Sequence, residues 1–122
     1  MVKEIDEKNF HEIIENNEIV LIDFWAEWCG PCRMFGPVFE KVSEKHDDIV
    51  FAKCNIETAA ELAAGFGVRS IPTIAVLKNS TVVYLQPGAL DERGLEELIK
   101  GTKALEMKEA LQEKEYAASE SA

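Results

Sequence analysis

Two kinds of hydrophobic pattern alternate along the chain, and together they predict alternating strands and helices. Short, continuous apolar runs are typical of strands that are buried on both faces of a sheet, and they occupy Ile19–Trp25 and Ile49–Asn55. Apolar residues spaced three or four apart indicate amphipathic helices. This second pattern occurs at Asn9–Glu15, after Cys29 as far as Val42, at Ala59–Phe66 and from about Asp91 onward.

The second half of the chain carries the pattern of an antiparallel hairpin. Thr73–Leu77 and Thr81–Leu85 are two strand-like runs separated by Lys78-Asn79-Ser80. No glycine stands in this turn, so we expect a loop longer than two residues, since a two-residue primed turn needs positive φ angles. Strand–helix alternation followed by a hairpin predicts an α/β fold, in which a central mixed β-sheet is flanked by helices on both faces.

The length of the chain suits one compact domain, and the composition changes near its end. The 122 residues are 47% hydrophobic, which is typical of a globular domain with a real core. We assign residues 1–102 to this domain and residues 103–122, rich in Glu, Lys and Ala, to an acidic C-terminal helical extension or tail. Leu105 follows Leu98 by seven residues, so we expect the last helix to continue for about two turns.

The charge of the chain excludes some classes of partner. Thirteen basic and twenty-three acidic residues give a net charge of −10, which argues against binding to nucleic acid or to anionic membranes. No apolar run approaches the roughly 18 residues of a membrane-spanning helix. The N-terminal residues also lack the features of a signal peptide. We therefore expect a cytoplasmic protein.

Cysteine provides the candidate chemistry. Cys29 and Cys32 are separated by two residues, and Cys29 stands where the second predicted helix begins. Unpaired N–H groups and the helix dipole stabilise a thiolate at such a position. Because the thiolate is the attacking species in disulfide exchange, Cys29 is the candidate nucleophile and Cys32 the candidate resolving cysteine. The third cysteine, Cys54, lies in a predicted buried strand and is interpreted as a core residue, with a regulatory thiol or a glutathionylation site as the alternative.

The same pair of cysteines could also be half of a metal site. A tetrahedral zinc site needs four ligands, and the other candidates are Cys54, His11 and His46. No second close pair exists, and both histidines are interpreted as surface residues. The sequence therefore argues against a metal site within one chain and leaves open a site shared between two chains.

The segment around the cysteines resembles the active-site segment of thioredoxins. The string Trp28-Cys29-Gly30-Pro31-Cys32 follows a predicted strand, and the resemblance continues at Pro37, Lys53, Ile71-Pro72-Thr73 and Gly88-Ala89, covering about residues 3–100. It implies the thioredoxin fold. It also implies a general protein-disulfide reductase that acts in cell redox homeostasis, with Cys29 as nucleophile and Cys32 as resolving cysteine.

The resemblance assigns further roles. Asp23 interrupts an apolar strand, where burial should raise its pKa; the resemblance makes it a catalytic group that moves protons to and from Cys32. Lys53 is its implied catalytic neighbour, and a structural ion pair between the two is the alternative interpretation. Pro72 matches the cis-proline of the family. The implied substrate groove consists of Trp28, Gly30, Pro31, Ile56, Ile71, Pro72, Gly88 and Ala89.

Partners follow from the same resemblance. It implies a monomer without a bound cofactor, which takes electrons from NADPH through a separate thioredoxin reductase and passes them to disulfide-containing proteins. Three alternatives remain. The first is an oxidant or isomerase of the disulfide-isomerase type, although such proteins typically have histidine between the cysteines. The others are a binding module with a dispensable dithiol and a metal site shared between two chains. Ser70 and Pro87 stand where a glycine and an aliphatic residue are common, which affects partner preference rather than chemistry.

Overall fold

The structure is a computed structural model, and it describes residues 1–106. Its elements, in chain order, are β1 (Val2–Glu4), α1 (Phe10–Glu15), β2 (Ile19–Trp25), α2 (Gly30–Ser43), β3 (Val50–Asn55), α3 (Ala60–Gly65), β4 (Thr73–Lys78), β5 (Thr81–Pro87) and α4 (Glu92–Ala104). The strand β1 was not predicted, because its three residues are too few, and too exposed, to produce a hydrophobic pattern.

The five strands form one mixed sheet in the order β1-β3-β2-β4-β5. The strands β1 and β2 run parallel to β3, whereas β4 is antiparallel to both β2 and β5. The strand β2 is central, and all but the last of its residues are buried. The prediction of a central mixed sheet is therefore confirmed.

Helices cover both faces of this sheet, as the sequence predicted. Alternate residues of β2 point to opposite faces, so Val20, Ile22 and Phe24 pack with Ile14 of α1 and Ala63 of α3. On the other face, the buried residues of β2, α2 and α4 form a second core that comprises Ile19, Leu21, Phe35, Phe39, Val42, Leu95 and Ile99. No helix within residues 1–106 is long and apolar enough to span a membrane.

The helix α4 begins and ends at residues that the sequence only partly identified. Asp91 caps the N-terminus, as predicted, by accepting a hydrogen bond of 2.7 Å from the backbone N–H of Gly94. The helix crosses the predicted boundary at residues 102/103 and ends at Ala104, because Leu105 is extended. The prediction that the helix continues through Leu105 was therefore wrong. The rest of the predicted extension, residues 107–122, lies outside the described residues.

The end of α4 is held by a buried lysine that the sequence analysis had placed in a turn. Lys78 is the last residue of β4 and is only 6% exposed. Its Nζ donates hydrogen bonds of 2.8, 3.2 and 2.6 Å to the backbone carbonyls of Thr102, Lys103 and Leu105. The last carbonyls of a helix lack intrahelical partners and carry partial negative charge, so an ammonium group is well matched to them.

We expect the Lys78→Met substitution to lower the free energy of unfolding by about 2 kcal/mol, because it leaves these carbonyls without charged donors. Urea unfolding measures the effect. Lys100→Met is the matched control, since Lys100 is an exposed lysine of α4, the helix whose end Lys78 contacts. Equal stability of the two variants would show that the contacts of Lys78 do not stabilise the fold.

The hairpin between β4 and β5 corrects a second expectation. Lys78 pairs directly with Thr81, so the loop has two residues, not more. Asn79 and Ser80 both adopt positive φ, at 49° and 64°. Contacts from outside the hairpin hold this turn: the Asn79 N–H donates to the carbonyl of Glu18 at 2.7 Å, and the Ser80 hydroxyl donates to the carbonyl of Ile14.

Candidate active site

The strand β2 and the helix α2 position the two cysteines. Cys29 follows the carboxyl end of β2 and is the N-cap residue of α2, as the sequence predicted. Its Sγ accepts a hydrogen bond of 3.2 Å from the backbone N–H of Cys32. The two cysteines form a disulfide, with their Cα atoms 5.2 Å apart. Both are buried in this oxidised form, so Cys32 is scarcely less exposed than Cys29.

The loop before β4 and the loop after β5 come together next to the disulfide. The carbonyl oxygen of Ile71 lies 3.7 Å from the Sγ of Cys29. The peptide bond between Ile71 and Pro72 is cis, as the resemblance implied. The backbone N–H of Gly88 donates to the carbonyl of Pro72 at 2.7 Å, which joins the loop after β5 to the loop before β4. The segments that were expected to surround the cysteines are therefore brought together.

A pocket of about 400 Å³ opens beside the disulfide. Three of the predicted groove residues line it, namely Trp28, Ile56 and Ile71, and the indole of Trp28 is 68% exposed. Among the other predicted residues, Pro72 is buried, whereas Gly30, Pro31, Gly88 and Ala89 lie on the exposed surface and do not line the pocket. The sequence analysis missed the remaining lining residues, which are Ala60, Ala63, Ala64, Val68, Arg69 and Ser70.

The missed lining residues carried a signal in the sequence. The helix α3 contains three alanines, and their small side chains leave space below Trp28 that larger residues would fill. Arg69 and Ser70 immediately precede the Ile71–Pro72 bond. The pocket can therefore receive an apolar side chain, with a positive charge from Arg69 at its edge.

Asp23 is a buried carboxylate on the α2 face of β2. Burial raises its pKa to about 7, and the positive charge of Lys53 opposes this rise. Among residues 1–106, its Oδ1 has no hydrogen-bond partner. The predicted rise of the pKa is confirmed, and its cause is desolvation of the charged form.

Lys53 neighbours Asp23 but does not contact it. The two residues are register partners on adjacent parallel strands. No ion pair within 4.0 Å joins their side chains. The Nζ of Lys53 lies instead over the indole of Trp25, 5.2 Å from the ring centroid. The interpretation as a direct structural ion pair was therefore wrong.

Cys54 is a core residue, as predicted. Its side chain is completely buried, and burial raises the pKa of its thiol to about 12, with smaller contributions from the negative charges of Glu7 and Asp6. The thiol is therefore uncharged near neutral pH and is a poor nucleophile.

The histidines do not gather near the cysteines. His11 is exposed on α1, as predicted. His46 is largely buried rather than a surface residue, because its ring stacks on Phe51 and its Nε2 contacts the carboxylate of Glu96 on α4. Within residues 1–106, no cluster of three or more His, Cys, Asp or Glu side chains is arranged to hold a metal ion.

Comparison with known proteins identifies the family. The profile of the family described as Thioredoxin matches residues 1–101. The chain belongs to the thioredoxin family. It is 48% identical over 106 residues to a putative thioredoxin 2 from Streptomyces coelicolor, covering 87% of this chain and 79% of that protein. It is 40% identical over 100 residues to the thioredoxin of Haemophilus influenzae, covering 80% and 94%.

Solved structures of thioredoxins share this fold. A thioredoxin variant from Halobacterium salinarum superimposes with a TM-score of 0.79 at 32% identity, covering 86% of this chain and 93% of that one. Together with the paired cysteines at the N-terminus of α2, membership of the thioredoxin family makes this protein a thiol–disulfide oxidoreductase. It reduces protein disulfides by dithiol–disulfide exchange through Cys29 and Cys32.

Proposed function

We propose that Cys29 is the attacking thiolate of this reductase and that Cys32 resolves the intermediate. The observation that carries the proposal is the N-cap position of Cys29, whose sulfur accepts the N–H of Cys32 at 3.2 Å. The same N–H, together with the positive end of the helix dipole, would stabilise a thiolate on Cys29 after reduction. Cys32 lies one turn further into the helix, on its buried side.

The reaction has two exchange steps. The Cys29 thiolate attacks one sulfur of the substrate disulfide, that S–S bond breaks, and the leaving thiolate takes up a proton. Cys32 then loses its proton and attacks the sulfur of Cys29, which releases the second substrate thiol. The substrate gains two electrons and two protons, and the reductase is left with the Cys29–Cys32 disulfide.

We assign proton transfer at Cys32 to Asp23. A carboxyl group with a pKa of about 7 exchanges its proton readily at neutral pH, which an ordinary aspartate does not. Asp23 lies on the face of β2 against which α2 packs, and α2 carries Cys32. Lys53 acts on Asp23 through its charge, since it opposes the rise of the Asp23 pKa.

The substrate groove is proposed to run past the exposed indole of Trp28 toward the cis Ile71–Pro72 bond. An apolar substrate side chain would enter the pocket between Trp28, Ile56 and Ile71. The substrate backbone would pass along the remaining residues of the groove, which are Gly30, Pro31, Pro72, Gly88 and Ala89. A groove of apolar side chains and backbone groups accepts many extended polypeptides, as a general reductase requires.

The electron supply and cellular setting are part of the same proposal. The chain would work as a monomer and would be returned to the dithiol form by a separate thioredoxin reductase that draws on NADPH. Disulfide-containing proteins are its substrates. A reducing compartment, the cytoplasm, is the setting in which such a reductase operates.

The reduction potential of the Cys29–Cys32 couple tests this function. We expect equilibration with dithiothreitol, followed by Trp28 fluorescence, to give a potential of about −270 mV, the value known for thioredoxin. The Cys29→Ser, Cys32→Ser double variant is the control and should show no transition. A potential near about −180 mV would indicate a disulfide isomerase instead.

A further inference from the structure

A second pocket, of about 600 Å³, lies between α1, α3 and β5. Its wall is formed by the apolar side chains of Phe10, Leu62, Phe66, Val82 and Leu85, and Glu7, Glu61 and His11 stand among them. We call it the acid-rimmed pocket. It shares no lining residue with the pocket beside the disulfide, because the two pockets use different residues of α3.

An aromatic contact and a β-bulge shape the acid-rimmed pocket. The rings of Phe10 and Phe66 meet edge to face at 5.7 Å and tie α1 to α3. A register shift opposite Val76 and Leu77 lets Val82 pair with Leu77 while Leu85 pairs with Ala75. Residues three apart on a regular strand face opposite ways, so this bulge is what places Val82 and Leu85 on the same face.

The surroundings of the acid-rimmed pocket are strongly acidic. Residues 6–15 and 57–66 contain six Asp or Glu residues and one basic residue, Lys8, and β5 carries no charged side chain. Among residues 1–106, none of these acidic side chains takes part in an ion pair. The ion pairs found there all join residues of α2, α4 and the segment between α2 and β3: Lys41–Glu92, Lys45–Glu92, His46–Glu96, Arg93–Glu97 and Lys103–Asp48.

The two carboxylates at the rim are placed differently. Glu7 accepts a hydrogen bond of 3.0 Å from the backbone N–H of Leu62, which holds its carboxylate at the start of α3. Glu61 is exposed in the first turn of α3. An apolar pocket of this volume lies within the usual size range of ligand sites, roughly 300–1,000 Å³. Its interior suits an apolar group, and its rim suits a positive charge.

We propose that the acid-rimmed pocket is a docking site for a basic, amphipathic polypeptide segment of a partner protein. The partner inserts a large apolar side chain between Phe10, Phe66 and Leu85 and places a lysine or arginine beside Glu7 and Glu61. The net charge of −10 disfavours a second copy of this chain as the occupant, because it would bring further negative charge to an acidic surface.

This docking site is independent of the dithiol chemistry. Its residues are not among those proposed to react or to form the substrate groove. Trp28 lines the other pocket, which shares no lining residue with the acid-rimmed pocket, so a segment bound in the acid-rimmed pocket does not occupy the pocket of Trp28. The protein can therefore be held in an assembly while its dithiol continues to reduce substrates.

Nuclear magnetic resonance titration of the full chain tests the proposal. The probe is the blocked peptide acetyl-Ala-Lys-Phe-Leu-Lys-Ala-amide. One control peptide has glutamate in place of both lysines, and the other has alanine in place of both apolar residues. We expect saturable shifts of the amides of Phe10, Leu62, Phe66, Val82 and Leu85 with the probe and with neither control.

Substitutions show which side chains of the acid-rimmed pocket contribute to binding of the probe. Glu61→Gln should weaken binding of the probe about threefold, as removal of one exposed charge does. Glu40→Gln, which changes the net charge equally on the exposed side of α2, should leave binding unchanged. Leu85→Ser should weaken binding about tenfold through the loss of apolar contact. Both pocket variants should reduce protein disulfides at the normal rate.

The Cys29→Ser variant separates this proposal from the reductase function, because it should lose reduction and still bind the probe. Equal binding of the glutamate peptide, or shifts that fall outside the acid-rimmed pocket, would overturn the proposal. Concentration-dependent shifts of the same amides without any peptide would also overturn it, since they would assign the pocket to a second copy of the chain.

Discussion

The Cys29→Ser variant is expected to lose reduction of protein disulfides by more than about a thousandfold, the scale seen when an enzyme loses its nucleophile. A serine hydroxyl does not ionise near neutral pH, so the helix N-terminus has no anion to stabilise. Reduction of insulin with dithiothreitol as electron donor measures the loss without requiring the physiological reductase. Cys54→Ala is the control, and it should retain activity because Cys54 is a core residue.

The Cys32→Ser variant distinguishes the two cysteines. It retains the attacking thiolate but lacks the resolving one, so it should accumulate a mixed disulfide between Cys29 and the substrate. Mass spectrometry under non-reducing conditions detects this adduct. An adduct that formed instead on Cys32 in the Cys29→Ser variant would reverse the proposed roles.

The Asp23→Asn variant is expected to be more stable than the native protein above pH 7, by about 4 kcal/mol at most. Burial raises the pKa of Asp23 from 3.8, its ordinary value, to about 7, and this difference corresponds to about 4 kcal/mol. Between these pH values the folded protein binds more protons than the unfolded chain. The free energy of unfolding therefore falls as the pH rises through this range, and the destabilisation by ionised Asp23 is complete above pH 7.

Urea unfolding at about pH 4 and about pH 8 measures this difference, which should be small at the lower pH and large at the higher one. Asp48→Asn is the matched control, because the pKa of Asp48 is lowered whereas that of Asp23 is raised. Asp48 is exposed, and its hydrogen bond to Lys103 lowers its pKa, so its substitution should give no gain at high pH. A pH-independent difference between Asp23→Asn and the native protein would contradict the raised pKa.

The same variant tests the proposed role in proton transfer. Asp23→Asn should slow disulfide exchange at neutral pH by about tenfold while remaining folded. An unchanged rate would remove Asp23 from the mechanism. A gain of stability combined with a loss of rate would show that the buried carboxylate is retained for function, at the expense of stability.

The active-site segment could be predicted because its information is local. An apolar strand, the string Trp28-Cys29-Gly30-Pro31-Cys32 and an amphipathic helix follow one another, so the position of Cys29 at the start of α2 depends on neighbouring residues only. The raised pKa of Asp23 was likewise predictable, because a carboxylate within a buried strand must be desolvated.

Contacts between distant residues account for the predictions that were wrong or missing. Lys78 is polar and lies beside a turn, and it is buried because the end of α4, 24 to 27 residues later, supplies its acceptors. The turn at Asn79 and Ser80 was expected to be longer, and contacts with Glu18 and Ile14 hold it short. His46 was interpreted as a surface residue, but Phe51 and α4 cover it.

By itself, the sequence determined the order and kind of most elements, the reactive pair of cysteines and the buried carboxylate, since hydrophobic periodicity and nearest neighbours decide these. Only the tertiary structure showed that Asp23 forms no ion pair with Lys53, that Lys78 is buried and that two pockets lie beside α3. Each of these depends on register between strands or on packing of distant helices. The one-residue bulge in β5 is an example. It turns Leu85 toward the acid-rimmed pocket, and the hydrophobic pattern of the sequence does not indicate it.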